Sequence, residues 1–233
     1  MQLLTIDLPD GSRLAIISLF GSNRPTTIVD WQRKVFDHFN IALNQVDCPF
    51  PAQSHGWFLD RIVEQTITQW DYLVTFDMDA IPLRHDLIGH VWDKIRDGRT
   101  LFGGAQQSNH VIVNGSVQNV YVSPCFLAIS SDLYLKLGRP TFDHTYRGDC
   151  AEELAWRVKE QGFNLGLVYP SKVIDPCYPL DNGLHFGQGT TYGDLAYHNF
   201  CQDRADSEQM FVEKCKETLA RYGAVQPLPI NLS

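Results

Sequence analysis

The stretch from Trp70 to Leu83, WDYLVTFDMDAIPL, constrains this chain more than any other. Tyr72 to Phe76 is an apolar, β-rich run without polar alternation, the pattern of a strand covered on both faces in a largely parallel sheet. The run stops at Asp77-Met78-Asp79, and Pro82 forbids a simple continuation as a central strand. Ligands of open α/β sheets collect just outside the carboxyl ends of the strands. Two carboxylates one residue apart in extended chain point the same way, roughly 6.6 Å apart along the backbone. Such a pair repels itself unless a cation lies beside it. Hard oxygen ligands of this kind suit Mg²⁺ or Mn²⁺, which typically hold substrate phosphates as well. The stretch therefore reads as the metal and diphosphate end of a nucleotide-binding sheet. The blander alternative is a turn in which the Asp side chains bond only to nearby backbone.

A chain of 233 residues can bury a large core as one α/β domain or two small ones. Its net charge of -8 leaves no basic surplus to neutralise a phosphate backbone, which argues against a nucleic-acid or anionic-membrane binder. A small phosphorylated ligand held through a metal is still compatible with that charge. The six Cys show no Cys-x-x-Cys and no zinc-like spacing, and a chain this long needs no disulfide, so a reduced, cytoplasmic setting is expected. The apolar run Leu14 to Phe20 is too short for a membrane span, and acidic residues precede it where a signal peptide would be basic.

In chain order, Pro9-Asp10-Gly11 separates two strands of an opening hairpin, the second ending at Gly21 to Pro25. A helix beginning near Thr27 carries Ile28, Trp31, Val35 and Phe39 on one face. A strand from Ile41 ends at Asp47, and a second helix from Ser54 leads to the Asp77 strand. Asp86 is positioned to cap the next helix, and Thr100 to Gly103 reads as a short strand followed by a loop to Gln118. Val120 to Ile129 is apolar but interrupted by Ser123-Pro124, and a helix capped by Ser131 follows. Asp149 and Glu152 have capping-box spacing for a helix closed by Gly162. Leu165 to Tyr169 reads as a buried strand, the chain beyond Pro176 as glycine-rich loop, and Asp206 to Tyr222 as a last helix. Alternating strands and helices predict an α/β fold with a mixed, mainly parallel sheet. No linker divides it, so residues 1–233 read as a single domain. Its nucleotide-binding half is 1–83 and its acceptor or substrate half 84–233.

These pieces, taken in order, resemble the GT-A-fold, nucleotide-sugar-dependent glycosyltransferases, in particular their inverting, family-2-like group. The resemblance rests on the polar loop Gly21 to Arg24, the strand ending in Asp47, Asp77-Met78-Asp79, the Phe126 to Ser130 segment, Gly148 to Arg157, and the late His185. It implies a metal-dependent transfer of a sugar from a nucleoside-diphosphate sugar to a hydroxyl of a carbohydrate or other acceptor. It also implies a divalent metal, Mn²⁺ or Mg²⁺, held by Asp77, Asp79 and a late histidine. His185 matches that histidine best and His198 is the fallback. Phe20, Ser22, Arg24, Asp47, Asp60, Asp77 and Met78 would then bind the nucleotide. The catalytic base would come from Asp149 or Glu152, because Cys150 and Ala151 occupy the positions of the family's acidic pair. Gln106, Gln107 and Asn109 have the donors and acceptors that sugar hydroxyls need.

Three other functions share parts of this pattern. A haloacid-dehalogenase-type phosphatase also places Asp-x-Asp after a buried strand but usually continues Gly-Thr, where this chain has Ala80-Ile81. A nucleotidyltransferase needs a richer glycine and basic loop than Gly21 to Arg24 provides. A carbohydrate- or partner-binding protein could keep the fold without the catalysis, since fold does not dictate function.

Overall fold

The computed structural model describes residues 1–21, 25–48, 54–108, 119–200 and 205–222. Ser22, Arg24 and Asn109 lie outside them, as does most of the segment up to Gln118.

A mixed sheet forms the middle layer. Strand β1 (Thr5–Asp7) pairs antiparallel with the start of β2 (Arg13–Gly21), through the turn in which Gly11 takes φ +82°. On the same edge of β2, further along, β3 (Asn44–Cys48) pairs in parallel. On its other edge β2 pairs in parallel with β4 (Tyr72–Asp77). The antiparallel strand β7 (Val120–Ser130) follows, then β6 (Thr100–Gln107), and finally β8 (Asn164–Val168) parallel to β6. The parallel pairs β2–β3 and β2–β4 are thus both built from the chain that ends at Asp77.

The uninterrupted apolar run of β4 has a direct cause. Tyr72, Val74 and Phe76 face one core, whereas Leu73 faces the other. Helices α1 (Thr26–His38), α3 (Leu87–Ile95) and α6 (Ser207–Tyr222) cover the first face through Ile28, Phe36, Val91 and Phe211. Helices α2 (His55–Thr66), α4 (Ser131–Lys136) and α5 (Glu152–Glu160) cover the second through Leu59, Val63, Leu133 and Leu154. Two layers of helix on a sheet are the expected burial for strands apolar on both sides.

Several local expectations shift. Strand β6 continues through Gly104 to Gln107 where a loop was read, and β7 runs unbroken through Pro124. The β6–β7 register slips between Gly103 and Ala105, and a proline with no N–H is tolerated beside such a bulge. Ser130, one residue before the expected Ser131, caps α4 by accepting from the Leu133 N–H at 3.1 Å. Asp86 precedes α3 but its carboxylate binds Arg84 instead of the helix N-terminus. Strand β8 is half-buried at the sheet edge, where a buried strand was expected.

The chain beyond Pro176, expected as glycine-rich loop up to the last helix, contributes short strands instead. Strand β5 (Ala80–Pro82), β13 (Ala196–His198), β12 (Thr190–Tyr192) and β9 (Pro170–Lys172) form a second sheet in that order. Pro82 is accommodated because β5 is its edge strand. A hairpin of β10 (Asp175–Pro179) and β11 (His185–Gln188) stands beside it. Among the described residues no helix is long and apolar enough to cross a membrane.

Candidate metal centre and adjoining cleft

Asp77 closes β4, and the chain turns through Met78 and Asp79 into β5. Gln32 fixes this turn. It is fully buried on α1, and its Nε2 donates to the carbonyls of Asp77 at 2.7 Å and Ala80 at 2.8 Å. Gln45 Nε2 in turn donates to Gln32 Oε1 at 3.0 Å. Across the β5–β13 pair Ala80 lies opposite His198, and the Asn199 N–H donates to the Asp79 carbonyl at 2.9 Å. The pairing delivers an imidazole to the two carboxylates. His198 Nε2 is 3.4 Å from Asp77 Oδ2 and 3.3 Å from Asp79 Oδ1.

Asp77, Asp79 and His198 offer ligand atoms that all lie within 4.8 Å of one another. Asp79 and His198 are buried, and Asp77 Oδ1 is a buried oxygen without a hydrogen-bond partner. Burial raises the pKa of Asp77, and the charge of Asp79 adds to that rise while His55 and His198 oppose it. At His198 burial works against protonation, yet the Cys125 sulfur and the Asp79 carboxylate outweigh it and hold the pKa well above the ordinary imidazole range. Two carboxylates forced together share a proton or take a cation. An O,O,N donor set with an orphaned carboxylate oxygen fits a hard or borderline divalent ion, so the group could hold a metal.

His55, the first residue of α2, stands on the other side of Asp77, with Nδ1 3.6 Å from Oδ1. The cap before it, Ser54, accepts from the Trp57 N–H at 3.0 Å and also bonds Asp143. One turn on, Asp60 accepts from the Phe142 N–H at 2.7 Å and from the Thr141 hydroxyl. Asp60, expected on the nucleotide, is instead occupied in fixing this loop to α2. Burial raises its pKa despite those bonds.

The loop so fixed leads to Asp149. Asp149 Oδ1 accepts from the Cys150 N–H at 2.8 Å and lies 2.8 Å from His144 Nε2. Its side chain keeps 39% of its surface exposed. Glu152 is fully buried with both oxygens engaged. Oε1 accepts from Asn119 Nδ2 and Oε2 from the Asp149 N–H, each at 2.8 Å. Asn119 Oδ1 in turn accepts from Lys159. The capping box is half realised, since Glu152 reaches back while Asp149 caps Cys150 instead. Ala151 enters α5 at φ +63°, in the left-handed region that few side-chain-bearing residues adopt.

Asp149 lines a cleft of about 350 Å³ together with Gln106, Gln107 and Tyr121. Tyr178, Phe186 and Phe200 complete its described lining. The cleft adjoins the metal group, because the Phe200 ring packs edge-on to His198 at 5.4 Å. Cys150, next to Asp149 in the chain, is half-buried. Burial, then the charges of Asp77 and Asp149, push its thiol pKa well above the usual range.

Phe20 and Asp47 are register partners at the carboxyl end of the β2–β3 pair, and Leu19 is the partner of Asp77. They therefore share an edge with the metal group, Phe20 half-buried and Asp47 exposed. Met78 points its side chain into the core. His185 is exposed on β11 opposite Pro179, and it is not in the group that His198 completes. Gln32, His55 and His144 carry no local signal of their roles, because each acts on a residue distant in sequence.

No protein-family model matches the chain, and no curated protein matches it. Solved structures do. A glycosyltransferase involved in glycosylation of the major capsid of PBCV-1 is 12% identical, with 87% of this chain and 98% of that chain covered and a TM-score of 0.44. A Drosophila β1,4-galactosyltransferase 7 mutant in complex with manganese, UDP-Gal and xylobiose is 11% identical, covering 84% of this chain and 79% of that one at a TM-score of 0.41. A protein from STIV is 11% identical over 66% of this chain and 81% of its own, with a TM-score of 0.39. The fold is a mixed α/β sheet flanked by helices, and glycosyltransferases of known structure are among those similar to it.

Proposed function

We propose that this chain is a metal-dependent glycosyltransferase that moves a sugar from a nucleoside-diphosphate sugar to an acceptor hydroxyl with inversion. The observation that supports it most is the convergence of Asp77, Asp79 and His198 beside a cleft walled by Asp149. Asp77, Asp79 and His198 would hold Mn²⁺ or Mg²⁺, and the bound ion would offset the charge that develops on a departing diphosphate. Phe20 and Asp47 flank the nucleotide at the neighbouring strand ends. Asp149 takes the proton of the acceptor hydroxyl as that oxygen attacks, a role that needs an accessible carboxylate. His144 orients Asp149 through Oδ1. Glu152 has no free oxygen for a proton and holds the Asp149 backbone in place.

Thermal-shift assays of nucleoside diphosphates and sugar nucleotides, with and without Mn²⁺, test this reading. A ligand at 100 times its dissociation constant stabilises the native state by about 2.7 kcal/mol. A shift that needs the metal, and that Asp79→Ala removes, is the expected result. Metal-independent binding, or none, would favour a phosphatase or a binding protein.

A further inference from the structure

The cleft beside Asp149 is lined by aromatic rings, two amides and an acid, and that combination selects among acceptors. Resting on the transfer reaction above, we propose that the cleft seats a sugar ring bearing no anionic group, stacked on Tyr178 and Phe200, and rejects phosphorylated and carboxylated sugars.

The aromatic wall is a single packed unit. Tyr178 and Phe186 stack with centroids 5.3 Å apart and planes 29° apart. Phe200 meets both edge-on, at 5.6 Å to Tyr178 and 5.8 Å to Phe186. Phe186 is buried and anchors the set, whereas Tyr178 and Phe200 are half-buried and keep surface for a ligand. A ring face is electron-rich and attracts the polarised C–H groups on the apolar face of a pyranose. Gln106 and Gln107 are also in the lining, and an amide can both donate to and accept from a hydroxyl. Gln106 is held in orientation by Nε2, 3.2 Å from the Tyr192 hydroxyl.

Charge supplies the exclusion. Asp149 forms part of the lining, with the buried Glu152 behind it, and among the described lining residues there is no Lys or Arg. A phosphate or carboxylate seated here would face Asp149 with no Lys or Arg among the described lining residues to offset the repulsion. Like charges brought close together at a protein surface repel one another. An unpaired charge of this kind is a common way to reject a wrong ligand. The volume, about 350 Å³, is near the small end of ligand sites and suits a short saccharide better than an extended chain.

Saturation-transfer NMR on the full chain tests the proposal with methyl glucoside, methyl galactoside, methyl xyloside and methyl glucosaminide against a hexose phosphate and methyl glucuronide. Each is recorded alone and with Mn²⁺ plus uridine or guanosine diphosphate. The expected result is transfer from aromatic protons to ring C–H groups of at least one uncharged or amino sugar. Binding of the anionic sugars should be weaker by about tenfold or more. Tyr178→Ala should weaken the favoured sugar about tenfold, while Tyr178→Phe stays within about twofold. Equal or tighter binding of the anionic sugars overturns the proposal, as does the absence of transfer to every uncharged sugar. The wild-type panel decides this even if Tyr178→Ala fails to fold. A Mn²⁺-dependent nucleotide shift on the same sample separates the two failures. If the shift persists while the anionic sugars win, only the acceptor class is wrong. If the shift is lost, the transfer reaction falls.

Discussion

Asp77 and His198 both have folded pKa values above their unfolded ones, the first from burial and the second from its anionic neighbours. A group raised in this way contributes stability below its unfolded pKa and loses it as pH climbs through the folded value. The metal-free chain should therefore lose stability from the carboxylate range upward, through the ordinary histidine range and beyond it. A divalent ion competes with those same protons, so its stabilising effect should grow over that interval. Melting temperatures with and without Mn²⁺, between about pH 5 and about pH 8, check this, and an increment independent of pH would break the assignment. His198→Ala should abolish the increment, whereas His185→Ala should leave it unchanged. Gln32→Leu should destabilise the fold by about 1–3 kcal/mol, because two buried carbonyls lose their donor. Denaturant unfolding measures that loss. Asp77 and Asp79 were legible because a strand and its end are local patterns. His198 was legible only as the fallback to His185, since it is the pairing of Ala80 with His198 that brings it there.

Among the elements, the entry to α5 is where sequence and structure differ most usefully. Asp149 and Glu152 look like an ordinary cap, and the spacing alone leaves either one as base. Their surroundings differ: the buried Asn119, itself bonded by Lys159, donates to Glu152 Oε1 and the Asp149 N–H donates to Oε2, whereas the Asp149 side chain lines the cleft. Glu152→Ala should lower kcat by displacing Asp149 while metal-dependent nucleotide binding persists, and steady-state kinetics beside a nucleotide titration would show the split. Equal losses in both would place Glu152 in donor binding instead. The glycines of β6 misled the sequence reading for a different reason. A Cβ on Gly103 would come within 2.0 Å of the Phe126 carbonyl, and one on Gly104 within 3.0 Å of the Tyr192 ring. They mark close packing, not a loop. Gly103→Ala should cost about 2 kcal/mol or more in thermal or urea unfolding.

For the molecule as a whole, the α/β alternation was readable from periodicity, and the second sheet was not. Its strands are three residues long, too short to carry a period, and they form by pairing across the chain. That pairing ties β5 of the first half to β13 of the second, as β4 is tied to β7. We expect one cooperative unfolding transition, with fluorescence and circular dichroism coinciding, and no folding by residues 1–83 alone. The same tie has a consequence in time. During synthesis Asp77 and Asp79 leave the ribosome ahead of His198 by more than a hundred residues. At 5–20 residues per second that lag is on the order of ten seconds. A nascent or truncated chain would present the two acids without the imidazole that completes the set. The group that could hold a metal is thus complete only once β13 has paired with β5.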